Sequence, residues 1–325
     1  MNYNMILTDK PSDLSLTDNV SGWDKLAGKS HLSSFAAGNQ NRPLTKFLAQ
    51  CKVFKEELFM TPKTNNPAGN YASVNGIPLY YEIHGTGKPL IMLHGGFGTF
   101  EMFAALSPTL AEKYQVIGVD LYGHGRTALT DRPFRFEHMA DDIAGLMEHL
   151  GLEKTDLLGF SLGGAVALQT AIRHPERVNQ LVLISTPFKR TGWHPEMQAG
   201  MAAFEPSFFM NTPIYDGYLH VAPKPEDFPR LVANMREALS QDYDWSKQVS
   251  ALKTPTLIIA GDADGLPPSH AVAFFTLLGG GLKDAGWNGE HLVPSQLAIL
   301  PGATHYNITF RADLLLPVLA PFLNK

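Results

Sequence analysis

The chain has 325 residues, of which 44% are hydrophobic and 18% charged, so it can bury a large core. Its 26 basic and 31 acidic side chains give a net charge of -5, which offers no reason to expect nucleic acid or an anionic membrane as a partner. The single cysteine, Cys51, excludes an internal disulfide, and the sequence contains neither a secretory leader pattern nor an apolar run of ~20 residues. We therefore expect a cytoplasmic protein.

The first 70 residues differ in composition from the rest of the chain. Ser, Asn, Asp, Lys and Thr dominate, and apolar clusters are brief. A segment of this kind has too few apolar residues to build a core of its own. We predict that residues 1–70 form an N-terminal extension that packs loosely or is disordered.

From Tyr71 onward, short apolar runs alternate with helical patterns. The first two runs are joined by Asn75-Gly76, a strong hairpin signal. The predicted strands are 72–74, 78–83, 89–93, 115–119, 155–158, 180–184, 256–259 and 296–300, and the predicted helices are 100–113, 137–150, 163–173 and 269–278. This alternation predicts an α/β fold with a doubly wound, mostly parallel sheet.

The alternation is interrupted over residues 187–250. This stretch is rich in Met and aromatic residues and shows helical patterns at 195–204 and 226–241. We predict that it is a helical cap inserted over the carboxyl edge of the sheet. The core would then consist of residues 71–186 and 251–325.

The stretch Gly159-Phe160-Ser161-Leu162-Gly163 stands between a predicted strand and a predicted helix. A serine on such a tight turn is the nucleophile elbow, which has little space beside the serine and therefore has glycine two positions away on each side. The following helix would direct its N-terminal N–H groups toward the serine. We predict that Ser161 is a nucleophile.

A serine nucleophile needs a base and a carboxylate that orients the base. With a nucleophile elbow in a sheet of this kind, the base follows the last strand, which selects His305. The carboxylate follows the strand at 256–259, where Asp262 and Asp264 are both candidates. We favour Asp264 because it lies further along the loop, and we expect Asp262 to hydrogen-bond the turn. His270 is predicted to be a surface or packing residue.

The oxyanion hole is expected to combine the N–H of Leu162 with an N–H from the glycine-rich stretch after residue 93. We favour Gly96, with Phe97 next, and expect His94 to be a structural hydrogen bonder. The same stretch lacks the Gly-Lys-Ser/Thr of a phosphate-binding loop, and the histidines do not have zinc-ligand spacing. We therefore predict no metal and no organic cofactor.

Together these motifs resemble the α/β-hydrolase superfamily. The residues concerned are His94-Gly95-Gly96, Asp120 to Thr127, Gly159 to Gly163, Gly261 to Asp264 and Gly302 to His305. The resemblance covers about residues 71–325 and implies a fold, while leaving the substrate open. In the family the turn at 120–127 is mostly structural, and Ser is more usual at the position of Thr127.

The leading functional hypothesis is hydrolysis of a carboxylic ester of a small, largely hydrophobic molecule through an acyl-enzyme. Because residue 161 is serine, the resemblance argues against relatives that use an aspartate nucleophile. Three alternatives remain open, namely carbon–carbon bond hydrolysis of a diketone-like substrate, cofactor-free perhydrolysis, and a non-catalytic receptor for a small ligand. The residues predicted to contact substrate are Phe97, Phe160, Phe188, Trp193, Met201, Phe208 and Phe209.

Overall fold

The computed structural model describes residues 69–324. The predicted N-terminal extension therefore lies outside the described residues, apart from its last two positions, and so does Cys51. Within the described part, eight strands form one sheet: β1 (Asn70–Val74), β2 (Ile77–His84), β3 (Lys88–Leu93), β4 (Tyr114–Val119), β5 (Thr155–Phe160), β6 (Val178–Ile184), β7 (Thr256–Ala263) and β8 (Gln296–Thr304).

The strands lie in the order β1-β2-β4-β3-β5-β6-β7-β8. The β1–β2 hairpin turns at Asn75 and Gly76, both with positive φ, and β2 pairs antiparallel with β4. All the remaining neighbours are parallel. The prediction of a doubly wound, mostly parallel sheet is confirmed.

Ten α-helices connect or follow these strands in residues 69–324. They are α1 (Ser107–Ala111), α2 (Phe136–His149), α3 (Leu162–Arg173), α4 (Pro195–Ala202), α5 (Pro206–Phe209), α6 (Pro213–Val221), α7 (Phe228–Ser240), α8 (Ser246–Ala251), α9 (Pro268–Leu277) and α10 (Ala312–Leu323). Short 3₁₀ helices span Phe100–Phe103, Pro175–Arg177, Arg190–Gly192, Pro225–Asp227 and Ile308–Phe310. Over this same range, no helix combines the length and the apolar character needed to cross a bilayer.

The helical character predicted over 100–113 is divided between two short segments. The structure has the 3₁₀ helix Phe100–Phe103 followed by the short helix α1. Pro108 lies in the first turn of α1. Proline has no N–H to donate and disfavours a helical residue before it, so a helix begins here and cannot run through.

Two clusters of buried side chains cover the two faces of the sheet. Along β3, Ile91 and Leu93 belong to one cluster, whereas Leu90 and Met92 belong to the other. This alternation follows from the two-residue period of a strand. Helices α2, α3 and α9 pack on the first face and α1 and α10 on the second, so both faces are buried.

Helices α4 to α8 all lie between β6 and β7. Helix α7 covers the loops that follow β3 and β4. A Cβ atom added to Gly96 would lie 2.6 Å from Met235 Cε, and one added to Gly123 would lie 3.4 Å from a Leu231 methyl group. The inserted helices therefore lie close above the carboxyl ends of two central strands.

His270, on α9, is a buried packing residue. Only 7% of it is exposed, its ring stacks on Phe188 with centroids 4.3 Å apart, and its Nε2 accepts the Phe188 N–H at 3.3 Å. Burial, assisted by the charge of Lys189, lowers the pKa of His270 from 6.5 to about 4.

This shift predicts loss of stability in mild acid. Between pH 6.5 and about 4 the unfolded chain takes up a proton at His270 that the folded protein does not bind, so folding weakens as the pH falls. The loss from this residue is about 1.4 kcal/mol for each pH unit. Urea unfolding at several pH values should show the contribution of His270 as the difference in slope between the wild type and a variant that lacks this histidine.

The variant His270→Gln is the matched control, because glutamine keeps an acceptor for the Phe188 N–H without titrating. Its free energy of unfolding should depend less on pH over the same window. Equal slopes for the two proteins would show that His270 does not titrate as described.

Candidate active site

Ser161 occupies the turn between the end of β5 and the start of α3. Its backbone has φ 52° and ψ -114°, a strained conformation for a residue with a side chain, at a cost of about 1–3 kcal/mol. The turn is held on both sides, because the Ser161 N–H donates to the Ile184 carbonyl at 3.0 Å and its carbonyl accepts the Ala165 N–H at 3.0 Å. The sharp turn makes Ser161 the residue at the N-terminus of α3.

Two glycines allow this turn. A Cβ atom on Gly159 would overlap the backbone of Gly163 and Gly164, and one on Gly163 would overlap the Leu93 carbonyl. Helix α3 therefore packs against β5 and β3 at backbone distance. The spacing of the glycines around Ser161 thus follows from steric exclusion.

The structure brings Ser161, Asp264 and His305 together. His305 Nε2 lies 3.1 Å from Ser161 Oγ, and His305 Nδ1 lies 2.9 Å from Asp264 Oδ1. In the neutral imidazole that fits these contacts, Nδ1–H donates to the carboxylate and Nε2 accepts the serine hydroxyl proton. The three residues come from loops after β5, β7 and β8, which end at the same edge of the sheet.

The carboxylate of Asp264 is fully buried and accepts four hydrogen bonds. Oδ1 accepts from His305 and from the Gly265 N–H at 2.6 Å, while Oδ2 accepts the Gly261 N–H at 3.1 Å and the Ser185 hydroxyl. Burial alone would raise the pKa of Asp264. The hydrogen bond and charge of His305, together with the hydrogen bonds from Ser185 and Gly261, outweigh burial and hold this pKa below its usual value.

Asp262 has a different environment. It is exposed, and its Oδ1 accepts the Gly302 N–H at 2.8 Å, which ties the end of β7 to β8. The two aspartates differ in position because β7 continues to Ala263, so Asp262 still belongs to the strand and Asp264 is the first residue beyond it. The sequence predicts that Asp262 hydrogen-bonds its own turn, whereas in the structure it bonds the neighbouring strand β8.

The glycine-rich stretch after β3 forms a tight turn. The Gly98 N–H donates to the Gly95 carbonyl at 3.2 Å, and Phe97 has φ 59°. Among residues 69–324, no acceptor pairs with the N–H of Gly96 or of Phe97. Leu162, as the first residue of α3, likewise has an N–H with no acceptor within the helix.

His94 supports this turn through two hydrogen bonds made by its ring. Its Nδ1–H donates to the Gly95 carbonyl at 2.7 Å, and its Nε2 accepts the Leu121 N–H at 2.9 Å. Burial lowers the pKa of His94, partly offset by the charge of Asp120. A neutral His94 with one donor and one acceptor fits both contacts, as expected for a structural residue.

Apolar side chains surround His305 and the turn. The rings of Phe160 and Trp193 lie 5.0 and 5.2 Å from the His305 ring, centroid to centroid, and Phe97 lies 4.6 Å from Phe209. The other residues predicted to contact substrate have varied positions: Phe188 packs on His270 and Phe274, Met201 is buried, and Phe208 is half-buried.

Two residues at this site, Ser185 and Met235, have no signal in the sequence. Ser185 follows β6, has φ 52°, and donates its N–H to the Ile259 carbonyl at 2.8 Å, which directs its hydroxyl to Asp264. Met235 lies over Gly96. A serine after a buried strand signals nothing by itself, and the Met235 contact joins residues 139 positions apart, so no local pattern in the sequence indicates either role.

Over residues 69–324, no three His, Cys, Asp or Glu side chains cluster closely enough to hold a metal ion. The chemistry available at this site from the described residues is therefore that of a hydroxyl group, an imidazole, a carboxylate and backbone N–H groups.

Comparison with known proteins agrees with the fold. A family model described as alpha/beta hydrolase fold matches residues 88–223. The crystal structure of E-2-(acetamidomethylene)succinate hydrolase superimposes with a TM-score of 0.62 at 19% identity, over 79% of this chain and 99% of the other.

Two curated relatives match over a large part of their length. The AB hydrolase superfamily protein YisY of Bacillus subtilis is 30% identical over 217 residues, which cover 59% of this chain and 80% of the relative. The 3-oxoadipate enol-lactonase 2 of Acinetobacter baylyi is 26% identical over 239 residues, 68% of this chain and 84% of the relative.

Proposed function

Because this chain belongs to the α/β-hydrolase superfamily and one of its relatives is named an enol-lactonase, we propose that it is a serine hydrolase that cleaves carboxylic esters. The observation that supports this most strongly is the hydrogen-bonded series from Ser161 through His305 to Asp264, located at a strained turn. Such a series is what a hydroxyl group needs to become a nucleophile near neutral pH.

In the proposed reaction, Ser161 Oγ attacks the ester carbonyl carbon while His305 Nε2 accepts the hydroxyl proton. Asp264 holds the ring in the required tautomer and stabilises the imidazolium that forms. The carbonyl oxygen becomes an oxyanion, for which we propose the N–H of Leu162 and that of Gly96 or Phe97 as donors. His305 then protonates the leaving alcohol, and an acyl-enzyme remains on Ser161.

The second half of the reaction regenerates the enzyme. His305 Nε2 takes a proton from a water molecule, and the resulting hydroxide attacks the acyl carbon. The tetrahedral intermediate collapses, the carboxylic acid leaves, and the proton returns to Ser161 Oγ. No metal or organic cofactor takes part in this proposal.

One observation supports an ester as the substrate, and a second supports its hydrophobic character. A lactone is a cyclic carboxylic ester, and a relative of this chain is named an enol-lactonase. The side chains near His305 and the turn at Gly95–Gly98 are apolar, among them Phe97, Trp193 and Phe209. Apolar surroundings with few polar groups favour a largely hydrophobic acyl or alcohol group. We propose that residues 187–250, with helices α4 to α8, act as the cap that encloses this group.

The proposal is tested with a panel of p-nitrophenyl esters from acetate to decanoate. We expect turnover, with kcat/KM rising as the acyl chain lengthens until the pocket is filled. Each methylene that the pocket buries is worth about 0.8 kcal/mol, or roughly fourfold in kcat/KM. A profile that does not depend on acyl length would contradict the hydrophobic pocket.

The same experiment separates the alternatives that share the triad. Cleavage of a diketone carbon–carbon bond without ester turnover would indicate a carbon–carbon hydrolase. Peracid formation from a carboxylic acid and hydrogen peroxide, exceeding ester turnover, would indicate a perhydrolase. Ligand binding without any turnover would indicate a receptor.

A further inference from the structure

The turn Gly95–Gly98 has an unusual residue at its third position. The turn is closed by the Gly98 N–H to the Gly95 carbonyl, and of its two central residues only Phe97 has positive φ, at 59°. This is the pattern of a type II turn, in which the third residue is normally glycine or asparagine. A phenylalanine persists in this conformation only where its surroundings hold it there.

Three rings from residues 187–250 lie around Phe97, with Phe209 on α5, Phe228 on α7 and Phe204 between α4 and α5. Its ring centroid lies 4.6 Å from that of Phe209, 5.5 Å from Phe204 and 6.3 Å from Phe228. Phe209 also contacts the other two rings, lying 5.4 Å from Phe204 and 5.9 Å from Phe228. We name Phe204, Phe209 and Phe228 the aromatic cage.

The conformation of Phe97 decides which way one peptide group points. Turns of type I and type II differ by a rotation of about 180° of the peptide between the two central residues, here Gly96 and Phe97. In the type I form, Phe97 would leave the left-handed region, and the Gly96 carbonyl would exchange places with the Phe97 N–H. A carbonyl turned toward a developing oxyanion would repel it, whereas an N–H would stabilise it.

We infer that the aromatic cage positions the oxyanion hole. By holding the Phe97 ring, Phe204, Phe209 and Phe228 keep this residue left-handed and so fix the direction of the Gly96–Phe97 peptide. The inserted helices then set the rate of the chemical step as well as the size of the substrate. This inference rests on the proposed ester hydrolysis, with the Phe97 N–H as the second oxyanion donor, and it makes the cage residues positioning residues that need not touch the substrate.

The first test compares Phe209→Leu with Phe274→Leu. Phe274 is also fully buried, but its ring packs against Phe188, outside the cage. For p-nitrophenyl acetate we expect Phe209→Leu to lower kcat about 10-fold and to change KM less than twofold, since loss of one oxyanion donor costs about 10²- to 10³-fold and the cage loses only part of its hold. Phe274→Leu should lose melting temperature to a similar extent but keep its kcat.

A trifluoromethyl ketone gives the readout that a merely structural role would not change. Its adduct with Ser161 places an oxyanion where the transition state has one, so its inhibition constant should rise in Phe209→Leu by the same factor as kcat falls. Phe204 is half-buried, so Phe204→Leu is measured in parallel as a milder change, with the same direction expected.

A double-mutant cycle with Phe97→Gly tests the route of the effect. Glycine has no ring for the cage to contact, and it adopts positive φ without strain. The conformation of residue 97 then no longer depends on the cage. In the Phe97→Gly background, Phe209→Leu should lower kcat no further. A second 10-fold loss there would show that Phe209 acts by another route.

The outcomes separate this inference from the proposed function. Unchanged kcat and unchanged ketone inhibition in both Phe209→Leu and Phe204→Leu, beside normal wild-type turnover, would overturn the cage and leave ester hydrolysis intact. Absence of ester turnover in the wild type would overturn both.

Discussion

Replacing Ser161 with alanine is expected to lower kcat for a p-nitrophenyl ester by about 10⁵- to 10⁶-fold. The residues of a nucleophile–base–acid group act as a unit, so loss of the nucleophile removes nearly all of their joint contribution. The variant should fold normally, because alanine retains the Cβ atom of serine. The substitution also leaves Gly159 and Gly163 in place, on which the tight packing of α3 against β5 depends. Steady-state kinetics and thermal unfolding measure both parts of this expectation.

Ser207→Ala is the matched control. Ser207 is an exposed serine on α5, and its replacement should leave both kcat and melting temperature unchanged. If Ser161→Ala retained more than about one hundredth of the wild-type kcat, Ser161 would not be the nucleophile.

The second large effect concerns the two aspartates at the end of β7, Asp262 and Asp264. Asp264→Asn is expected to lower kcat about 10⁴-fold, because an amide that faces His305 stabilises the wrong tautomer of the ring. Asp262→Asn keeps an oxygen for the Gly302 N–H and should cost less than about threefold. The same ester assay measures both variants. The opposite ranking would move the orienting carboxylate to Asp262.

Most of the sheet follows from local sequence. Strands buried on both faces are continuous apolar runs, so β3, β4, β6 and β7 stand out between polar turns. Prolines account for the helices that the sequence pattern defines poorly. Pro108 begins a helix inside a segment that has helical character throughout, and α10, which follows β8, contains Pro317 and Pro321, residues that normally interrupt a helix.

The three residues Ser161, Asp264 and His305 could be predicted from the sequence, because each one follows a recognisable strand in a known order. The elbow serine has a local motif, and the positions after β7 and β8 select Asp264 and His305 once the parallel sheet is assumed. Contacts between distant segments have no such signal. The Ser185 hydroxyl meets Asp264 across 79 positions, and Phe97 meets three rings that are more than 100 positions away.

The contact with Phe97 changes the role expected of Phe209 from lining the pocket to positioning Phe97. The sequence favours it as pocket lining because it is aromatic and lies within 187–250. In the structure its ring is 1% exposed and lies against Phe97. Its neighbour Phe208 is half-buried, so the two residues are expected to act differently, with Phe208 the better candidate for a direct effect on acyl-length preference.

Identification of the residue that a fluorophosphonate modifies tests the central claim most directly. The reagent reacts with an activated serine and stays bound, so digestion and mass spectrometry locate the added mass on one peptide. The account predicts modification of Ser161 in the wild type, much slower labelling in Asp264→Asn, and none at this position in Ser161→Ala. Modification of a different serine, or ester turnover that survives complete labelling, would contradict it.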